Sequence, residues 1–142
     1  MKKAIRIILC IFVAGLFTLS CNKSDINAIA ITGTWEHTKT ETYKNGTLVD
    51  VTYPSSGRTR ILYSFFSDGS FERGEEGTAY YEGGRWLVDG DKLILTYMRG
   101  PADTYTIEKT GLLKLVLRFD EVVDGDHYVD YLTLEHVNVP SE

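Results

Sequence analysis

Cysteine is nearly absent from this chain of 142 residues, and its two cysteines both lie within the first 21 residues. Residues 22–142 therefore contain no thiol that could form a disulfide, bind zinc or act as a nucleophile. The chain also lacks the Gly-x-Ser-x-Gly, His-Glu-x-x-His, Cys-x-x-Cys and phosphate-binding glycine motifs. We therefore expect a protein that is not an enzyme and that uses neither a cofactor nor a metal.

An excess of basic residues is absent as well. Residues 1–20 hold three of the 15 Lys and Arg and none of the 20 acidic residues, so the rest of the chain has a formal charge of −8. Because phosphate binding requires a basic face, this charge argues against nucleic acid as a partner. Several carboxylates crowd one predicted hairpin, where we expect a solvated turn rather than a calcium site. They are Asp120, Glu121, Asp124, Asp126 and Asp130.

No hydrophobic run is long enough to span a bilayer as a helix. The longest, residues 7–19, has thirteen residues, whereas a spanning helix needs about 20. Lys2, Lys3 and Arg6 precede this run, and the small residue Ser20 follows it. This order is typical of a secretory signal peptide, which we place at residues 1–20.

Cys21 directly follows Ser20, and the pair resembles the lipobox of bacterial lipoproteins, although Thr18 stands where the commonest form has Leu. The resemblance implies that Cys21 is lipidated and becomes the mature N-terminus. More than one acyl chain anchors a protein stably, so we expect membrane attachment in the cell envelope, with the outer membrane favoured. Residues 21–30 are predicted to be a lipidated tether, followed by a single domain over residues 31–142.

A sustained 3.6-residue apolar period is missing throughout the mature chain, from residue 21 onward, so almost no helix is expected there. Glycines instead recur every 6–15 residues or so, and Asn45-Gly46 and Asp124-Gly125 are typical of tight hairpin turns. The segments between them are rich in β-branched and aromatic residues. The sequence therefore predicts an all-β fold, a single antiparallel up-and-down β-barrel of about eight to ten strands.

One predicted strand, residues 34–43, is polar on both faces after Trp35. Such a strand either extends beyond the barrel or lines a polar interior. We expect an exposed hairpin in which Val49 and Val51 of the following strand cover the core. The three histidines are expected at the surface: His37, His127 and His136.

Two Gly-x-Trp motifs occur, at Gly33–Trp35 and Gly84–Trp86. Between them an aromatic residue is followed by Asp-Gly at residues 66–69, and Gly-Asp-x-Leu comes after them at residues 90–93. Their order resembles that of small bacterial lipocalin-like lipoproteins, whose barrels are of the calycin type. The resemblance implies that Gly33 and Trp35 close one end of the barrel. In larger lipocalins an arginine packs over this tryptophan, and Arg118 is the nearest candidate here.

The chain has nine tyrosines, and three of them lie in otherwise apolar strands. A buried tyrosine needs a hydrogen-bond partner, so Tyr63, Tyr97 and Tyr131, with Trp86, form a candidate ligand pocket, although β-propensity alone also explains the tyrosines. We expect the barrel to bind a small apolar or amphipathic molecule. The alternative is a non-catalytic accessory subunit of an envelope complex, with the barrel as scaffold and its polar strand, residues 34–43, as a docking edge.

Overall fold

The computed structural model describes residues 22–57, 59–79 and 81–137, so the predictions for residues 1–20 and Cys21 lie outside the described residues. This part of the chain contains one helix and nine strands. They are α1 (Lys23–Ile31), β1 (Gly33–Lys44), β2 (Thr47–Thr52), β3 (Ile61–Phe65), β4 (Ser70–Glu75), β5 (Tyr81–Asp89), β6 (Lys92–Tyr97), β7 (Asp103–Thr110), β8 (Lys114–Val123) and β9 (Asp126–His136).

The strands form one antiparallel sheet that closes on itself. Strands β3 to β9 pair in chain order, β1 pairs with β3, and β1 also pairs with β9. These eight strands form the barrel, while β2 is an additional strand that pairs with the second half of β1. The prediction of a single antiparallel β-barrel with eight to ten strands is confirmed.

Tight turns fix the register of two hairpins. Asn45 and Gly46 between β1 and β2 have φ angles of 48° and 84°, and Asp124 and Gly125 between β8 and β9 have 51° and 84°. Positive φ at both central residues matches the right-handed twist of the flanking strands, which is why Asn-Gly and Asp-Gly occupy such turns.

The segment predicted as a tether differs most from expectation, because Lys23–Ile31 is the helix α1. Asn22 caps it by accepting a hydrogen bond from the amide of Asp25 at 2.9 Å. Nine residues form a marginal helix in isolation, so packing must stabilise it. Ile31 is fully buried against the barrel, and the Asn27 side chain donates to the carbonyl of Gly90 at 2.9 Å. In the described residues, no helix combines the length and hydropathy that a bilayer crossing demands.

Helix α1 covers one end of the barrel, which we call the closed end. The turns between β3 and β4, β5 and β6, and β7 and β8 lie there, and the remaining hairpin connections lie at the opposite end, which we call the mouth. The closed half is filled by apolar side chains that are almost wholly buried. They are Ile31, Trp35, Phe65, Phe71, Val88, Leu93, Leu95, Leu115, Leu117 and Leu134.

A β-bulge in β1 reverses the expected alternation of its second half. Its register with β9 shifts between His37 and Lys39, so that Trp35 and His37 point inward and are followed on the same face by Thr40. Thr42 also points inward, where its hydroxyl donates to the Asp130 carboxylate at 2.6 Å. The second half of β1 therefore lines a polar interior, which was the alternative interpretation of this strand.

Strand β2 does not cover the core. Every residue of Thr47–Thr52 is exposed, including Val49 and Val51. The prediction that these two valines cover the core was wrong, because β2 continues the sheet beyond the barrel wall instead of folding across it.

Candidate functional site

Trp35 lies at the closed end with 1% of its surface exposed. Its indole N–H donates to the carbonyl of Ile31 at 2.7 Å, and its ring meets that of His136 edge-to-face at a centroid distance of 5.1 Å. Gly33 has a φ angle of 138°, and a Cβ added there would lie 3.0 Å from Nε2 of His136. Backbone conformation and close approach both favour glycine at this position.

Arg118 does not pack over Trp35. It alternates with the buried Leu117 on β8 and therefore lies on the outer face of the barrel. There its guanidinium donates to both carboxylate oxygens of Asp120, at 2.8 and 2.7 Å. Helix α1 and His136 contact Trp35 instead of the arginine that the resemblance implied.

The four residues of the predicted ligand pocket are not brought together. Trp86 packs in the closed half, 5.6 Å edge-to-face from Phe65. Tyr131 lies on the outer face, where its ring meets that of Tyr43 at 5.6 Å. Tyr63 and Tyr97 both point into the barrel, above the apolar core.

A cleft of about 700 Å³ opens at the mouth, between the hairpin connections of β4–β5 and β6–β7. This volume lies within the range of ligand pockets, about 300 to 1,000 Å³. The cleft is lined by charged, aromatic and apolar residues. They are Arg73, Tyr81, Glu82, Gly83, Tyr97, Met98, Arg99, Gly100, Pro101 and Asp103.

Arg73 joins this cleft to the barrel interior. It follows Phe71 by two residues on β4 and therefore faces inward. Its Nη1 donates to the Glu82 carboxylate at 3.1 Å, and its guanidinium carbon lies 5.4 Å from the ring centroid of Tyr63. Its Nε is buried and has no hydrogen-bond partner among the described residues. An unpaired buried donor is costly, by about 1–3 kcal/mol.

Three tyrosines with raised pKa values lie in the same half of the barrel as Arg73. Burial raises the pKa of Tyr63, which is almost fully enclosed. Burial, and then the neighbouring Tyr63 and Asp103, raise the pKa of Tyr97. Burial likewise raises the pKa of Tyr105 on β7, with smaller effects from the other two tyrosines. All three phenols are therefore neutral near pH 7.

His37 is buried within the barrel, with 6% of its surface exposed, so its predicted surface position was wrong. Its Nε2 lies 2.7 Å from the hydroxyl of Thr40, and its ring packs edge-to-face on Tyr63. Burial and the positive charge of Arg73 lower the pKa of His37 to about 4. The imidazole is therefore neutral near pH 7.

The outer face carries a second, shallower depression of about 580 Å³. It contains Arg118, His127 and Tyr131, together with the stacked Tyr43. Within the described ranges there is no group of three or more His, Cys, Asp and Glu side chains that could hold a metal ion.

Sequence reasoning missed Arg73, Glu82 and Asp103. A signal for Arg73 was present, because β4 alternates and an inward position two residues after Phe71 carries a charge. Glu82 and Asp103 lie at strand ends, where the sequence does not indicate which way a side chain points.

Comparisons with known proteins bear on the fold. No protein-family model and no curated protein matches the sequence. Among solved structures, the chain is similar to the crystal structure of lobster apocrustacyanin A1, a lipocalin, with a TM-score of 0.52 and 16% sequence identity. The match covers 84% of this chain and 68% of the lobster chain. The chain therefore has a lipocalin-like fold.

Proposed function

We propose that this protein is a non-enzymatic, lipid-anchored barrel of the cell envelope that binds a small amphipathic molecule at its mouth. The observation that carries the binding proposal is the cleft of about 700 Å³ beside Arg73, whose buried Nε has no partner among the described residues. The lipocalin-like fold supports this proposal, since barrels of this kind hold ligands at the mouth.

The packing of the barrel selects an amphipathic ligand over a wholly apolar one. The closed half is occupied by its own side chains, from Trp35 to Leu134, so a long apolar molecule cannot enter deeply. The open half instead offers both kinds of surface. Tyr81, Met98 and Pro101 supply apolar contact, while Arg73 and Asp103 supply charge.

The polar end of the ligand is an acceptor of hydrogen bonds, such as a carboxylate. Arg73 bonds to Glu82 through Nη1, whereas its Nε is buried and has no hydrogen-bond partner among the described residues. A carboxylate oxygen would satisfy Nε after a small movement of the side chain toward the cleft. Hydrogen bonds to a charged group contribute about 1.5–3 kcal/mol, so this contact accounts for roughly a 10- to 100-fold change in affinity.

Binding of dodecanoate, compared with dodecanol as its uncharged analogue, tests this proposal by calorimetry. We expect dodecanoate to bind more tightly and Arg73→Met to weaken it at least tenfold. Arg118→Met is the matched control, because Arg118 is also paired with a carboxylate but lies on the outer face. Equal affinity for acid and alcohol, or equal loss in both variants, would overturn the assignment of Arg73. Thermal melting by circular dichroism verifies that each variant is folded.

Anchoring through Cys21 rests on the sequence. The basic start, the thirteen-residue apolar run and a cysteine after a small residue all support it. Mass spectrometry of the protein purified from bacterial membranes should find an acylated Cys21 at the N-terminus. An intact residue 1, or an unmodified Cys21, would contradict the proposal.

A scaffold for envelope proteins is the second candidate, and strand β2 favours it. Among the described residues β2 pairs only with β1, and its exposed edge carries Leu48, Val49 and Val51. Such an edge can accept a strand from a partner. A photocrosslinker at Val49 that captures a defined envelope protein in cells, together with no amphiphile binding, would favour this function over ligand binding.

A further inference from the structure

We propose that the closed end of the barrel is the surface that faces the membrane, and that the mouth points away from it. This inference rests on the proposed lipid anchor at Cys21. It concerns the placement of the barrel relative to the bilayer, which ligand binding at the mouth leaves open.

Six exposed apolar side chains lie at the closed end, while others lie on β2 and at the mouth. Leu112 and Leu113 lie in the turn between β7 and β8, with 93% and 65% of their surfaces exposed. Ile29 of helix α1 is 77% exposed. Further exposed apolar residues occur on the same helix, in the β3–β4 turn and at the end of β5: Ile26, Phe66 and Leu87.

Helix α1 is held firmly against this end. Besides the Asn27 bond to Gly90, the amide of Gly90 donates to the hydroxyl of Ser24 at 2.7 Å. Trp35 donates to the carbonyl of Ile31 at the other end of the helix. The helix thus has contacts near both termini and does not behave as a loose linker.

The lipid would attach with almost no slack. Cys21 directly precedes Asn22, the residue that caps α1. One residue spans at most about 3.6 Å, so acyl chains on Cys21 begin beside the N-terminus of a helix fixed to the barrel. A bilayer that receives those chains therefore lies against the closed end.

The chemistry of this end suits a lipid interface. Isoleucine and leucine side chains at a bilayer surface enter the boundary between headgroups and acyl chains, where their apolar area leaves water. Lys23 and Lys114 lie near the same end and can extend their charged groups toward the headgroups. The mouth also has exposed apolar residues, but its cleft is lined by charges of both signs, among them Arg73 and Asp103.

This placement puts the mouth roughly 25–30 Å from the bilayer, given the length of the strands and their usual tilt in a barrel. The ligand would then exchange with the aqueous phase rather than pass directly from the bilayer into the cleft.

Depth-dependent quenching on the full chain tests the orientation. The protein is produced in a bacterium that processes lipoproteins and is reconstituted in phosphatidylethanolamine–phosphatidylglycerol vesicles. Leu112→Cys carries a fluorophore at the closed end, and Met98→Cys is the matched control at the mouth, since both side chains are more than 80% exposed. We expect brominated lipids to quench the label at 112 at least threefold more than the label at 98.

The outcomes separate the anchor from the orientation. If the protein does not float with the vesicles, the anchor is wrong and the orientation falls with it, while ligand binding stands. If the protein floats but the two labels are quenched equally, or the label at 98 is quenched more, the orientation alone is overturned.

Discussion

His37 and Arg73 both contact Tyr63 in the polar half of the barrel, and the charge of Arg73 acts on His37. Burial and the cation of Arg73 keep His37 neutral at pH 7, while its Nε2 meets the hydroxyl of Thr40. A second positive charge in this enclosed space would be unfavourable. The stability of the protein should therefore depend on pH through the protonation of His37.

Stability should fall as the pH is lowered from about 6.5 to about 4. The pKa of His37 is lowered to about 4 in the folded protein but is 6.5 in an unfolded chain, so the unfolded state binds the proton first. At pH 4.5 this difference corresponds to about 2–3 kcal/mol of lost stability.

Urea unfolding at pH 7 and pH 4.5 measures this loss. His37→Gln should remove that part of the pH dependence, whereas His127→Gln, on the exposed surface, should keep it. The same decrease in the free energy of unfolding in both variants would show that His37 is not responsible.

The sequence predicted the hairpin turns that flank the strands, but it did not predict helix α1 or the bulge in strand β1. Asn-Gly and Asp-Gly turns indicated the hairpins because few other residue pairs adopt their φ angles. Helix α1 was missed because only two of its residues are buried, the polar Asn27 and the apolar Ile31. Two such residues do not produce a repeating apolar pattern in the sequence. The bulge after His37 was missed because it is defined by the pairing of β1 with β9, which lies about 90 residues further along the chain.

If α1 is part of the barrel's core, its last residue should matter far more than its exposed face. Ile31→Ala removes a fully buried side chain beneath Trp35 and should cost about 2–5 kcal/mol. Ile29→Ala on the exposed face should change the stability of the protein in solution by less than about 0.5 kcal/mol. Similar effects in chemical unfolding would mean that the helix does not close the barrel.

For the whole molecule, the interior is divided by chemistry along the barrel axis. The half beside α1 is apolar and filled, and the half toward the mouth holds His37, Tyr63 and Arg73. Composition and strand pattern predicted the barrel, but not this division. This division depends on which side chains from different strands point into the barrel. Arg118 and Tyr131, both predicted as site residues, lie on the outer face instead.

The same division agrees with the separate roles that we propose for the two ends. In the function and orientation that we propose, the filled, apolar end faces the membrane and the open, polar end exchanges a small molecule with solvent. The proposed function depends most on a ligand that engages Arg73 through its unpaired Nε.

Nuclear magnetic resonance observes that donor directly. The Nε–H signals of Arg73 and Arg118 can be followed in ¹⁵N spectra during titration with dodecanoate, and Arg118 is the internal control because its Nε already donates to Asp120. We expect the Arg73 signal to move downfield with saturation, with backbone shifts at Tyr97 and Asp103, while the Arg118 signal stays in place. An unmoved Arg73 signal, with shifts confined to Arg118 and Tyr131 on the outer face, would contradict it.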